Sequence, residues 1–100
     1  MISFNMMSSE ESAQVLAKRA KARRLAQNLT QEGLAKRSGV ALGTLKKFEG
    51  SGQVSLVSFL KLAVALGDEA ALEKLLLEPK FETLDDVLEA ASKPQRGRIK

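Results

Sequence analysis

The chain has 100 residues, 44% of them hydrophobic, which suffices for one compact domain and leaves no room for a second. It contains no Cys, His, Trp or Tyr, which excludes disulfides, thiolate or imidazole metal sites, and Ser/His or Cys/His nucleophile pairs. We therefore expect no enzymatic activity, no metal and no cofactor. No apolar run approaches the roughly 18 residues of a membrane span, and the first nine residues lack the pattern of a secretory signal. A cytoplasmic protein without membrane contact is expected.

The formal net charge of +4 is distributed very unevenly along the chain. Residues 1–50 contain nine Lys/Arg and four acids. Residues 51–92 contain three Lys/Arg and eight acids, and residues 93–100 contain four Lys/Arg and no acid. A basic first half is what phosphate binding requires, whereas an acidic segment is repelled by nucleic acid and suits a protein contact. The two halves are therefore expected to face different partners.

The chain begins with a segment, residues 1–8, that we expect to be flexible, and continues with a helix that starts near Ser9. Ser8 and Glu11 have the spacing of a capping box at the start of that helix. The helix is predicted to end at Asn28, and its apolar face comprises Val15, Leu16, Ala20 and Leu25.

Residues 31–50 predict two short helices joined by a tight turn. Thr30 is predicted to cap a helix over residues 31–38, Gly39 to adopt the left-handed backbone that ends it, and a further helix to span residues 42–49. The inward-facing residues of the pair are Leu34, Ala35, Val40, Leu45 and Phe48. Two helices joined by a three-residue turn that contains Gly form a helix-turn-helix unit, which presents its second helix to the major groove of DNA.

The most apolar segment is predicted to be a fourth helix over residues 56–66, with Ser55 as its cap. Its apolar residues are Leu56, Val57, Phe59, Leu60, Leu62, Ala63, Val64 and Leu66, which predicts a helix at the centre of the core. Asp68 is predicted to cap a fifth helix over residues 69–77, which ends before Pro79.

The end of the chain predicts a sixth short helix within residues 83–92 and a disordered basic tail over residues 93–100. Together these elements predict an all-α protein with one domain over residues 9–78 and a helical extension over residues 79–92. Neither a strand pattern nor an internal repeat is present in the sequence.

In order and spacing, these residues resemble the Xre or lambda-repressor-like (Cro/C1-type) helix-turn-helix family over about residues 16–76. The matching residues are Leu29-Thr30-Gln31, Leu34-Ala35, Ser38-Gly39-Val40, Thr44-Leu45, Phe48-Glu49 and the LKLAVALG run at 60–67. The resemblance implies a five-helix domain that binds double-stranded DNA in the major groove.

The resemblance also implies roles for individual residues. Gln31 matches the residue that grips a DNA phosphate, and Thr30 lies beside the same phosphate. Lys46 lies near the DNA backbone, and Arg24 and Glu49 match a partly buried structural ion pair. The base-reading positions are occupied by Leu42, Gly43, Thr44 and Lys47.

Three residues depart from what the family or a short helix usually contains. Leu42 and Gly43 replace the Gln or Ser of many members, so they contribute apolar contact rather than hydrogen bonds to base edges. Gly33 lies inside a short helix, where Gly costs about 1 kcal/mol relative to Ala. A close approach to DNA and a close approach to a neighbouring helix both account for it.

Two functions remain open from the sequence. One is a transcriptional repressor that binds a palindromic operator as a homodimer, with Leu76 and Leu77 as the candidate dimer surface. The other is a HipB-like antitoxin of a toxin–antitoxin pair, which binds a toxin kinase and autoregulates its operon. That weaker resemblance rests on residues 43–49 and 84–100, and under it residues 81–92 or the basic tail engage the toxin. In a third interpretation, the basic tail instead increases the affinity for DNA.

Overall fold

The computed structural model describes residues 4–79 and Leu88, and residues 4–79 contain helices and no strand. The helices are α1 (Ser9–Ala26), α2 (Gln31–Ser38), α3 (Leu42–Ser51), α4 (Leu56–Ala65) and α5 (Glu69–Lys74). A single 3₁₀ turn, Phe4–Met6, precedes them within the segment expected to be flexible. The all-α class with five helices is confirmed. Of the predicted sixth helix only Leu88 is described, as a helical and exposed residue, and the basic tail lies outside the described residues.

Side-chain caps start α1 and α2 where the sequence predicts them. The Glu11 N–H donates to Ser8 Oγ at 3.1 Å and the Ser8 N–H donates to Glu11 Oε1 at 2.9 Å, which completes the capping box. The bond from the Ser8 backbone N–H, with a contribution from the Ser8 side chain, favours the carboxylate and lowers the pKa of Glu11. At the start of α2, Thr30 Oγ1 accepts from the Gly33 N–H at 2.9 Å. A Cβ on Gly33 would lie 3.2 Å from this oxygen, so the glycine gives room to its own cap and not to a neighbouring helix.

The fifth helix departs from its predicted form in two ways. It ends at Lys74 instead of residue 77, so the last three leucines lie outside the helix: Leu75 is extended and Leu76 has a positive φ of 62°. Asp68 stands at the start of α5, but its side chain makes no cap hydrogen bond. Its carboxylate pairs instead with Arg23 of α1.

The hydrophobic core joins the inner faces of α1 to α4. Its buried members are Ala17, Leu34, Val40, Leu45, Phe48, Leu62 and Leu66. The Phe48 ring packs edge to face on Phe59, with centroids 5.9 Å apart. The predicted inward positions of α2 and α3 are thus confirmed.

The predicted apolar face of α1 is wrong at Leu25, which is 55% exposed. The buried positions are Ala17 and Arg24, with Ala20 packed against the core. These three lie on one helical face because they are three and four residues apart, and Leu25 is turned about 100° from Arg24.

The prediction that α4 is central to the core holds for only one side of the helix. Leu62 and Ala63 are buried, but four other apolar side chains of the helix are exposed: Leu56, Val57, Leu60 and Val64. Helices α2 and α5 pack against α4, and no described element covers these four side chains.

A close backbone approach holds the end of α3 against α1. Gly52 has φ 81° and is buried, and a Cβ at this position would lie 2.9 Å from both the Ala13 carbonyl carbon and the Gln14 nitrogen. The sequence indicated only a glycine-containing loop here. The structure shows that this one glycine is required for α1 and α3 to meet.

Gly52→Ala is therefore expected to destabilise the fold by about 2–4 kcal/mol. Alanine disfavours the left-handed backbone at this position, and its methyl group would clash with the rigid main chain of α1. Urea unfolding followed by circular dichroism measures the change.

Gly50→Ala is the matched control, since a Cβ at this helical position meets nothing within 4 Å. It is expected to be neutral or to stabilise by up to about 1 kcal/mol. Equal effects of the two substitutions would refute the role given to Gly52.

Candidate nucleic-acid interface

The turn between α2 and α3 is held by backbone and side-chain hydrogen bonds. Gly39 has φ 78° and donates its N–H to the Ala35 carbonyl at 2.9 Å. The Val40 N–H donates to Ser38 Oγ at 3.1 Å, and the Val40 side chain is buried between the helices. The turn therefore sets the angle at which α3 leaves α2.

Helix α3 has an inner apolar side and an outer side that carries positive charge. Leu45 and Phe48 are buried, whereas Lys46 and Lys47 are exposed. Gly43, in the first turn of the helix, is also exposed. The two other predicted base-reading residues, Leu42 and Thr44, are half-buried at the first turn.

The start of α2 provides hydrogen-bond donors next to α3. The first N–H groups of a helix, here those of Gln31 and Glu32, have no acceptor within the helix, and this end of the helix attracts anions. The Thr30 hydroxyl accepts from Gly33, which leaves its own proton to donate. The Gln31 amide nitrogen donates one hydrogen to Glu49 Oε1 at 3.1 Å and keeps a second.

Arg24 and Glu49 form the predicted ion pair, and it is almost completely buried, with 7% and 4% of the side chains exposed. Arg24 Nε donates to Glu49 Oε2 at 2.8 Å and Nη2 to Oε1 at 3.0 Å. Arg24 Nη1 donates to the Leu29 carbonyl at 2.8 Å. The hydrogen bonds that Arg24 donates to Glu49 raise the pKa of Arg24, which keeps the guanidinium charged.

The structure adds a connection that the sequence did not indicate. Glu49 Oε1 accepts from both Arg24 and Gln31, so the structural ion pair also orients the side chain assigned to phosphate contact. These residues are 25 and 18 positions from Glu49 in sequence, which no local spacing rule connects. The sequence reasoning also assigned no role to Lys36 and Arg37, two exposed cations in the last turn of α2.

Within residues 4–79, no group of three His, Cys, Asp or Glu side chains is arranged to hold a metal ion. None of the helices in that part of the chain combines the length and hydropathy needed to cross a membrane.

A comparison with protein families matches the segment that contains this site. Residues 21–69 match the family model described as Helix-turn-helix, so the chain contains a DNA-binding domain of the kind found in transcription regulators. This domain is of the Xre (Cro/C1) type, as the motif residues predicted. Searches of curated proteins and of solved structures gave no significant match.

Loss of the buried ion pair has a predictable cost. Arg24→Met leaves the Glu49 carboxylate buried without its counter-charge and is expected to destabilise the domain by about 3–5 kcal/mol. The double variant Arg24→Met/Glu49→Leu removes both charges and is expected to recover most of that loss. Chemical denaturation of the single and double variants measures the coupling.

Arg23→Met is the matched control one residue earlier. The Arg23–Asp68 pair is about half exposed, with 45% and 46% of the side chains accessible, so its removal is expected to cost no more than about 1 kcal/mol. If Arg24→Met were no more harmful than Arg23→Met, the buried pair would not hold the helices together.

Proposed function

We propose that this protein is a sequence-specific transcriptional repressor of the cytoplasm that binds a palindromic operator as a homodimer. The observation that carries the proposal is the orientation of α3, whose inner side is locked by Leu45 and Phe48 while Lys46 and Lys47 project outward. A helix held in this way and charged on its outer side suits insertion into the major groove.

In this proposal, the start of α2 binds a phosphate and α3 reads bases. Gln31 donates its second amide hydrogen to the phosphate, and the Thr30 hydroxyl and the free backbone N–H groups lie beside it. The base-reading residues are Leu42, Gly43, Thr44 and Lys47, and Lys46 contacts the DNA backbone. Leu42 packs on a thymine methyl group and Lys47 donates to guanine O6 or N7.

The homodimer follows from the small number of bases that one α3 helix reads. Two copies about one DNA turn apart double the number of contacts, which is why operators of such proteins are palindromic. Leu76 and Leu77 are candidates for the dimer surface, being 93% and 68% exposed.

Alanine variants of the two lysines of α3 are expected to differ in how they bind DNA. The binding site is first selected from a random pool of DNA, and each variant is then titrated onto it by fluorescence anisotropy. Lys47→Ala relaxes the preference between selected and altered sites, because it removes a base contact. Lys46→Ala weakens binding to all sequences alike and reduces the salt slope by about one unit, because it removes a phosphate contact.

Lys74→Ala is the control, an exposed cation removed from α5 instead of α3. It is expected to leave affinity and salt slope unchanged. Identical behaviour of Lys46→Ala and Lys47→Ala would refute their separate assignments, and unchanged binding in both would refute the proposed interface.

An antitoxin of a toxin–antitoxin pair is the second candidate function. The observation that favours it is the charge reversal after residue 50, since an acidic segment followed by a basic tail is unsuited to one continuous DNA surface. Under this function the DNA-binding domain autoregulates the operon, and residues 80–100 bind the toxin kinase encoded beside it.

Deletion of residues 80–100 tests this function. Loss of co-purification with the product of the adjacent gene is expected if these residues bind the toxin, and unchanged co-purification would contradict it. Deletion of residues 93–100 alone reduces the salt slope of DNA binding by up to about four units if the four tail cations contact phosphates. An unchanged slope would exclude a contact between the tail and DNA phosphates.

A further inference from the structure

A cleft lies between α1 and α4, and we call it the α1–α4 cleft. Helix α1 packs against α3, and α4 packs against α2 and α5, but α1 and α4 are not closely packed on each other. Polar contacts hold the end of α1 to the segment that follows α4, where Gln27 donates to the Leu66 carbonyl and Arg23 pairs with Asp68. The space that remains between the two helices has a volume of about 220 Å³.

Most of the side chains that line the α1–α4 cleft are apolar. Leu16 and Ala20 line it from α1 and Phe59 lines it from α4, and these three side chains are half-buried. Phe48 and Leu62 also line it and are buried. Because a cavity of about 150 Å³ with walls of this kind holds benzene, a cleft of about 220 Å³ has room for one ring and a polar group. The cleft therefore fits the apolar body of a small molecule.

The rim of the α1–α4 cleft carries a net positive charge. Among the described residues, the charged side chains that line the cleft are Arg19, Arg23 and Asp68. Asp68 accepts from Nη1 of Arg23, and the other N–H groups of Arg23 have no acceptor within residues 4–79. In the same part of the chain Arg19 makes no ion pair or hydrogen bond, and its guanidinium lies 5.4 Å from the ring centroid of Phe4. Two guanidinium groups thus share one carboxylate, which leaves one positive charge unbalanced.

We infer that the α1–α4 cleft binds a small monocarboxylate, whose apolar body enters the cleft while its carboxylate lies at the rim. The carboxylate accepts two parallel hydrogen bonds from the Arg19 guanidinium, with Arg23 beside it. A neutral molecule of the same shape gains no charge-assisted hydrogen bond, and a cation is repelled by the positive rim. A free phosphate ion has no apolar body to fill the cleft. Because Phe48 belongs to α3, the bound molecule contacts the inner side of the helix proposed to read bases.

Three probes of one shape test the preference for a carboxylate: benzoate is an anion, benzamide is neutral and benzamidinium is a cation. Each is titrated into the isotope-labelled full chain without DNA, and the amide chemical shifts are followed by NMR. Benzoate is expected to give saturable shifts at the residues that line the cleft, with a Kd on the order of 1 mM. Benzamide is expected to bind at least about tenfold more weakly, and benzamidinium is expected to give no saturable shifts.

Sodium acetate is the control for ionic effects, since it has a carboxylate but no ring to fill the cleft. Shifts with acetate equal to those with benzoate would reduce the site to a surface charge contact and overturn the inference. Benzamidinium that binds as tightly as benzoate would also overturn it. So would benzoate shifts that do not saturate, which is the result expected if other residues of the chain fill the cleft.

The contribution of Arg19 is tested by Arg19→Met, which removes the guanidinium and keeps an apolar stem. This substitution is expected to weaken benzoate binding at least about tenfold, because the carboxylate loses its charged donor. Lys18→Met is the matched control, since Lys18 is an exposed cation on the same helix that does not line the cleft. It is expected to leave benzoate binding unchanged. Equal losses in the two variants would overturn the inference.

The space itself is tested by Ala20→Leu, which fills the cleft from α1. This variant is expected to lose saturable benzoate binding while its unfolding temperature stays the same or rises, because the added side chain occupies existing space. Ala22→Leu adds the same group at an exposed position outside the cleft and is expected to bind benzoate normally. A folded Ala20→Leu variant that binds benzoate like the wild type would overturn the inference. Where Ala20→Leu does not fold, Arg19→Met decides, since it changes an exposed side chain. All of these measurements are made without DNA, so their results are independent of the proposed function.

Discussion

The ion pair between Arg24 and Glu49 is the interaction on which the rest of this domain depends, because it joins three helices at one buried point. Arg24 of α1 holds both oxygens of Glu49 near the end of α3, and it also holds the Leu29 carbonyl before α2. The same carboxylate accepts from Gln31 at the start of α2. Apolar contacts stabilise the core without fixing direction, whereas these hydrogen bonds specify how α3 lies relative to the start of α2. The two parts of the proposed DNA surface are therefore positioned by the same carboxylate.

A second set of polar contacts holds α1 to the opposite end of the domain. Gln27 Nε2 donates to the Leu66 carbonyl at 2.9 Å, and Arg23 pairs with Asp68. These contacts hold the end of α4 and the start of α5 against α1.

The residues that sequence alone placed correctly are those whose signals are local. The capping box at Ser8, the cap at Thr30 and the left-handed Gly39 each depend on neighbours within a few residues, and all three are confirmed. The prediction of α4 illustrates the limit. Hydropathy identified a helix that is apolar on most sides, but which side is covered depends on α2 and α5, and no local pattern contains that information. The predicted burial of Leu25 and the predicted end of α5 were wrong for the same reason.

The sequence by itself therefore determined the helical class and the helix-turn-helix motif, because spacing and turn chemistry are properties of short segments. The Arg24–Glu49 pair followed from the family resemblance and not from any local spacing. Only the tertiary structure decided that Glu49 also holds Gln31, that Gly52 admits the backbone of α1, and that several apolar side chains of α4 stay exposed among the described residues. Each of these facts depends on groups far apart in the chain. Their distances are set by how the helices pack together, so they become visible only when the chain is folded.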